Sequence, residues 1–235
     1  MTGILAVETA TDACSVAVFI EGQTLVRHVI APRQHSKLLF GLLEELVPGG
    51  NLVARGIEVI AYGSGPGSFT GLRIAASVAQ GIAYSSCLPA VAVPTLEVLA
   101  QGALQSGVVT ADDTVLSLLD ARVNEVYAAV YRFDSGLAVP VEGPWVGPPG
   151  DSAPAYPGDM CAVGSGCRYL EQFPEPLRTR LKTVQPELLP RAGDMIPLTQ
   201  SRLARGDIQS PGDIQPMYVR DEIHWKKLGE QGKRT

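Results

Sequence analysis

The sequence predicts an α/β protein made of two related halves, each a β meander followed by helices, facing each other. Three observations predict it. The chain opens with three short apolar runs separated by polar turns. A glycine-rich stretch then stands between a strand-like and a helix-like segment, and the same order of elements starts again near residue 115. The 235 residues, 46% hydrophobic and 18% charged, exclude a disordered chain and can bury the core of one large domain or two small ones.

In the first half, residues 4–7 are a short apolar strand, 8–12 a polar turn, and 14–20 a second strand. Glu21-Gly22 turns the chain into a third strand at 24–30. A helix over 36–47 stops at Pro48-Gly49-Gly50. A strand at 57–62, a glycine-rich turn at 63–71, a helix from about 69 to 86, a strand at 90–93 and a helix from Thr95 complete it. In the second half a strand at 115–119 ends in Asp120, as 4–7 ends in Glu8. A turn at 121–124, a strand at 125–133 and Asp134-Ser135-Gly136 repeat the earlier punctuation. Residues 161–163, Gly164-Ser165-Gly166 and a helix-like 168–173 echo the strand, glycine turn and helix. The Pro- and Gly-crowded 141–157 is expected as a surface loop, and 198–205 as a helix with Asp194 as N-cap. The expected lobes are 1–108 and 109–215, with 216–235 a terminal segment packing back on the first lobe and fraying after Gly229.

Net charge is −5 and the pI about 5.2, which argues against strong nucleic-acid binding by this chain alone, since such binding needs a basic face. No stretch reaches the ~18 apolar residues of a membrane span. The start lacks a basic n-region and carries Glu8 and Asp12, so no signal peptide is expected. Cys14, Cys87, Cys161 and Cys167 have no CxxC spacing and no nearby histidine, and are expected as reduced core thiols rather than zinc ligands. His28, His35 and His224 form no HExxH or close pair, and Ser64 lacks the histidine that a GxSxG nucleophile needs.

Three features could carry chemistry. The turn Gly63-Ser64-Gly65-Pro66-Gly67-Ser68-Phe69-Thr70-Gly71 opens a helix, an arrangement whose backbone N–H groups suit a phosphate; the same residues equally make a tight corner. Glu8-Thr9-Ala10-Thr11-Asp12 places a carboxylate beside two hydroxyls, fit either for magnesium and phosphates or for an ordinary hairpin. Asp120, Arg122 and Glu125 form a matching cluster, with Arg122 read as a solvated ion pair. The two helices flanking the glycine turn are unusually apolar. Leu38, Leu39, Leu42, Leu43 and Leu46 span roughly 140° of the first, extended by Phe40, against the ~100° that a surface helix needs. The second is Leu72, Ile74, Ala75, Ala76, Val78, Ala79, Ile82 and Ala83 around a thin line of Arg73, Ser77 and Gln80. Such faces are either packed inside the domain or covered by a protein partner.

The blocks ILAVETATDACSVAVFIEG, PRQHSKLL, AYGSGPGSFTGLRI with AQGIA, VAVPTLEVLAQG, LDARVNEVYAAVY and MYVRDEIHWKKL resemble, in order, those of the TsaB (YeaZ) family; GPGSFTGxR is the most diagnostic and 139–156 the least similar. The resemblance implies the fold of the actin/Hsp70/sugar-kinase (ASKHA) group, with two βββαβα-type halves. It implies a cytoplasmic, non-catalytic scaffold subunit for tRNA N6-threonylcarbamoyladenosine formation. Its partners would be the catalytic relative TsaD, in a heterodimer, and the ATPase TsaE, with TsaC (or Sua5) supplying the intermediate and a homodimer forming when TsaD is absent. Thr95 and Leu99 stand where TsaD carries its metal histidines, so the resemblance implies no metal and no catalytic residue here. The partner interface it implies is His35, Leu38, Leu39, Leu42, Leu43, Leu46, Leu72, Arg73, Ala76, Ala79, Gln80 and Ala83. Leu39→Glu or Ala79→Glu is expected to split the complex and leave the monomer folded. Vestigial nucleotide or phosphate loops would comprise Glu8, Thr9, Thr11, Gly63, Gly65, Gly67, Ser68, Asp120, Gly164 and Gly166, with Glu8 replacing the family's more frequent Asp. No cofactor is required by this chain, and ATP or ADP would sit at the complex interface. A self-sufficient ATPase or kinase of the same fold is the alternative; a metallopeptidase, lacking ligands, ranks last.

Overall fold

The structure, a computed structural model, describes residues 2–219. Its first sheet takes β1 (Gly3–Glu8), β2 (Ala13–Ile20), β3 (Gln23–Ile30), β4 (Ile57–Gly65) and β5 (Ala90–Pro94) in the order β3-β2-β1-β4-β5. The second takes β6 (Val115–Arg122), β7 (Glu125–Asp134), β8 (Leu137–Gly147), β9 (Met160–Val163) and β10 (Leu181–Gln185) in the order β10-β9-β6-β7-β8. Each is an antiparallel meander whose first strand then pairs in parallel with the fourth, so both are wound alike and the predicted duplication holds.

β1 is apolar without alternation because it is buried on both faces. Leu5 and Val7 face α1 (His35–Leu46) and α2 (Phe69–Ser86); Ile4 and Ala6 face α5 (Met195–Arg205). α3 (Thr95–Gln105) is buried nearly all round. Its Val98 joins the core under the first sheet, and Leu96, Leu99, Ala100 and Ala103 join that of the second. The second sheet's other face packs on residues 165–172 and on α4 (Glu175–Arg178).

Four expectations need correction. Part of 141–157 is strand rather than loop: β8 pairs with β7 as far as Gly147. Pro140 and Pro144 are tolerated because β8 is an edge strand, where a missing N–H costs no ladder bond, and its register slips near Val130. Residues 165–172 form a 3-10 helix, not an α-helix. α5 starts at Met195, and Asp194 makes no side-chain cap. Instead the Asp194 carboxyl is buried over Gly102, where a Cβ would meet Oδ2 at 2.6 Å. Cys14, Cys161 and Cys167 are buried as expected, but Cys87, ending α2, is exposed. Residues 220–235, most of the terminal segment with His224 and Gly229, lie outside those described. No described helix is long and apolar enough to cross a membrane.

Candidate functional site

Because β1–β2 and β6–β7 turn at corresponding ends of their sheets, both turns and the glycine-rich segment face one cavity of about 750 Å³ between the lobes. Its cations are Arg73 from α2, with Arg122 and Arg168 from the second lobe; its acids are Asp12 and Asp120. Asp120, nearly buried, accepts from the Arg122 N–H (2.8 Å), Arg168 Nη1 (3.3 Å) and the Tyr169 hydroxyl (3.1 Å). Arg122 lies 3.6 Å from Asp120 and reaches across to Asp12 at 3.9 Å. Both Arg122 and Asp12 are exposed, so this link between lobes is weak, as expected for a solvated pair.

The glycine turn is packed rather than open. A Cβ at Gly67 would meet the Ala10 carbonyl at 2.5 Å, and one at Gly71 the Thr9 carbonyl at 2.0 Å. The Ser68 N–H is already spent on Ala10 O (2.7 Å), and Ser68 Oγ caps α2 by accepting from the Gly71 N–H. Thr9 is buried, its hydroxyl donating to Gly71 O at 2.8 Å, while Thr11 stays at the cleft wall. Gly65, at φ +115°, lies against Met217 O. Gly164 and Gly166 in the second lobe pack on Leu118 and do not line the cleft.

Glu8 does not line the cleft either. Its side chain is fully buried against Gly63, where a Cβ would meet Oε2 at 2.1 Å. Oε1 accepts from the Ala10 N–H at 2.6 Å and Oε2 from the Thr95 hydroxyl at 3.2 Å. Burial pushes its carboxyl up from the usual 4.5 to about 7, against the lowering effect of the Ala10, Thr95 and Thr9 hydrogen bonds. Thr95 is thus a partner of Glu8, and Leu99 is core. Among the described residues no three His, Cys, Asp or Glu side chains gather in a group able to hold a metal.

A second cavity, about 440 Å³, opens between α1 and α2. Of the residues expected at a partner interface, Leu39 and Arg73 line it and the others do not. Leu39, Leu42, Leu43, Leu46, Leu72, Ala76, Ala79 and Ala83 are buried in the chain's own core, and glutamate at 39 or 79 would enter that core. His35 is buried with Nε2 3.1 Å from Ala13 O. The sheet beneath is wide enough to take four of the five leucines of the arc, all but Leu38. What stays outside is Phe40 (62% exposed), Phe69, Arg73, Gln80 and Tyr84, with Leu38, Ile74 and Val78 half-buried. Sequence reasoning missed Phe69 and Tyr218, whose rings lie 5.9 Å apart with the Arg73 guanidinium 3.8 Å over Phe69. Only the GPGSFTGxR and MYVR blocks hinted at them.

The family model described as TsaD, tRNA N6-adenosine threonylcarbamoyltransferase, matches residues 26–157. The tRNA threonylcarbamoyladenosine biosynthesis protein TsaB of Escherichia coli (strain K12) is 33% identical over 235 residues, covering 96% of this chain and 97% of that protein. The chain belongs to the TsaB family. The TsaB protein of Haemophilus influenzae is 32% identical, covering 96% of each chain. The structure of YeaZ from Pseudomonas aeruginosa superposes with a TM-score of 0.85 at 33% identity, over 93% of this chain and 100% of that one. The two-sheet α/β fold is therefore the TsaB fold, of the ASKHA type.

Proposed function

We propose that this chain is the non-catalytic scaffold subunit for tRNA N6-threonylcarbamoyladenosine formation, binding TsaD through the α1–α2 face and working with the ATPase TsaE in the cytoplasm. The observation that carries this is the groove between the two helices, where Phe40, Phe69, Ile74 and Val78 keep apolar surface outside a core already filled by the leucines beneath. A protein surface laid there removes that area from water at about 25 cal/mol per Å². Among the described residues the side chains lining the cleft are arginines, aspartates, hydroxyls and apolar groups, without histidine or cysteine, which supports leaving the transfer chemistry to TsaD. The relatives' name, a biosynthesis protein for this modified nucleoside, supports the pathway. Within this proposal 1–108 is the partner-binding lobe and 109–215 the second lobe. A homodimer forms through the same face when TsaD is absent, and tRNA is held by the partners. ATP or ADP, where it participates, belongs to the complex interface.

Arginines from both lobes around the cleft, Arg73, Arg122 and Arg168, favour one alternative: a nucleotide-binding ATPase acting alone. Reconstitution with TsaC, TsaD, TsaE, threonine, bicarbonate, ATP and an ANN-reading tRNA separates the two. Modified adenosine formed only when this chain is added, with no ATP turnover by the chain alone, is expected. Equal product without it overturns the scaffold role.

A further inference from the structure

We infer that the segment 207–219 couples the α1–α2 groove to the interlobe cleft, with Tyr218 as the positioning residue; the partner arm of the test rests on the scaffold role proposed above. This segment is a strap laid across the first lobe. Gln209 exchanges both backbone hydrogen bonds with Ala90 (2.8 and 3.0 Å), extending the free edge of β5. Gln80 Nε2 donates to Pro211 O (3.0 Å), Ile214 is buried in the core under α2, and the Tyr62 hydroxyl donates to Gln209 Oε1 (2.9 Å) and Gln215 O (3.2 Å). The Met217 N–H then donates to Ser64 O at 2.7 Å, which delivers Tyr218 to the start of α2.

The groove and the cleft have three lining residues in common, Phe69, Thr70 and Arg73, all in the first turns of α2. Tyr218 lines the cleft only, and it grips two of the three. Arg73 Nε donates to its hydroxyl at 3.3 Å, its ring meets Phe69, and the guanidinium carbon lies 3.8 Å from the centre of the Phe69 ring. The Tyr218 hydroxyl and the Phe69 ring together orient Arg73. An apolar helical surface seated in the groove presses on Phe69, and Phe69 cannot shift without moving Arg73 and Tyr218. Groove occupancy therefore tightens the strap, and by reciprocity a tight strap strengthens groove binding. Met217 O against Gly65 carries the same restraint to the glycine turn.

Hydrogen exchange on the full chain tests this at two amides, Gln209 and Met217. Phe69→Ala, a change in the groove wall, is expected to speed exchange at Met217 about tenfold and at Gln209 less than about twofold. Unchanged Met217 exchange overturns the coupling. Arg73→Met serves in its place should Phe69→Ala fail to fold. Adding TsaD to the wild-type chain is expected to slow Met217 exchange, and Tyr218→Ala to weaken TsaD binding about tenfold, with Tyr218→Phe intermediate. TsaD that binds but leaves Met217 exchange unchanged overturns the coupling and spares the scaffold role. TsaD that does not bind overturns the scaffold role, and the Phe69→Ala result alone then decides the coupling.

Discussion

The Glu8 carboxylate is fully buried, one oxygen accepting from the Ala10 N–H and the other from the Thr95 hydroxyl. Among Thr9, Thr11 and Asp12 it reads as the acid of a polar turn, yet it ends a strand buried on both faces and takes its hydrogen bonds from inside. Its folded carboxyl titrates at about 7 against 4.5 in the unfolded chain, so between those values the folded state holds the extra proton. Stability from this group is therefore highest below about pH 4.5, and falls as pH rises to 7 by up to about 3 kcal/mol. Asp194, raised to about 6 by burial, acts in the same direction. Glu8→Gln keeps an acceptor for the Ala10 N–H and removes the charge. In urea unfolding we expect it to gain on wild type at pH 8 relative to pH 5. A difference between the two proteins that is the same at both pH values would show that burial of the charge is not what costs stability.

At the scale of elements, α5 belongs in sequence to the second half and packs on the first sheet, tied there by a bidentate pair. Arg202 Nη1 and Nη2 donate to Glu97 of α3 at 2.9 and 2.7 Å, both side chains largely buried. Glu97→Ala strands the guanidinium and is expected to cost about 3–5 kcal/mol in denaturant titration, while Glu97→Leu with Arg202→Met is near neutral. A double variant as unstable as the single one would refute that account. The three strands of the first meander, the first two of the second and the three long helices of the first lobe are legible in the sequence because apolar periodicity and glycine punctuation depend on nearest neighbours. β8 is not legible, since its prolines look like loop until the strand is known to lie at an edge. Nor is the Glu97–Arg202 pair, whose members are 105 residues apart. The apolar excess of α1 is visible in sequence; which leucines the sheet would cover is a matter of tertiary geometry, and only Phe40 and the half-buried Leu38 were left for a partner.

For the whole molecule, the buried and exposed residues of α1 and α2 separate folding from assembly. Phe40→Glu or Val78→Glu, on the groove, is expected to leave the unfolding midpoint within about 1 kcal/mol of wild type and to abolish association measured by sedimentation. Leu39→Glu puts an unpaired charge into the core and is expected to prevent folding. Association that survives Phe40→Glu and Val78→Glu would move the interface elsewhere. The candidate site was legible only in outline: the glycine turn and both carboxylate turns do converge, but arginines and aromatic rings join Asp12 and Asp120 in the cleft, and Glu8 does not.

The two lobes share a strand order but not their helices. Between β3 and β4 the first lobe inserts α1; between β8 and β9 the second has only the 3-10 turn Pro149–Asp151. The described residues thus carry one helical face of this kind where strict internal symmetry would have made two. With a second such face at the far end, each bound molecule would offer a fresh surface to the next, and growth would not terminate. With one face, the binding proposed above ends at a pair, and a second copy of this chain would compete with a different partner for the same seat.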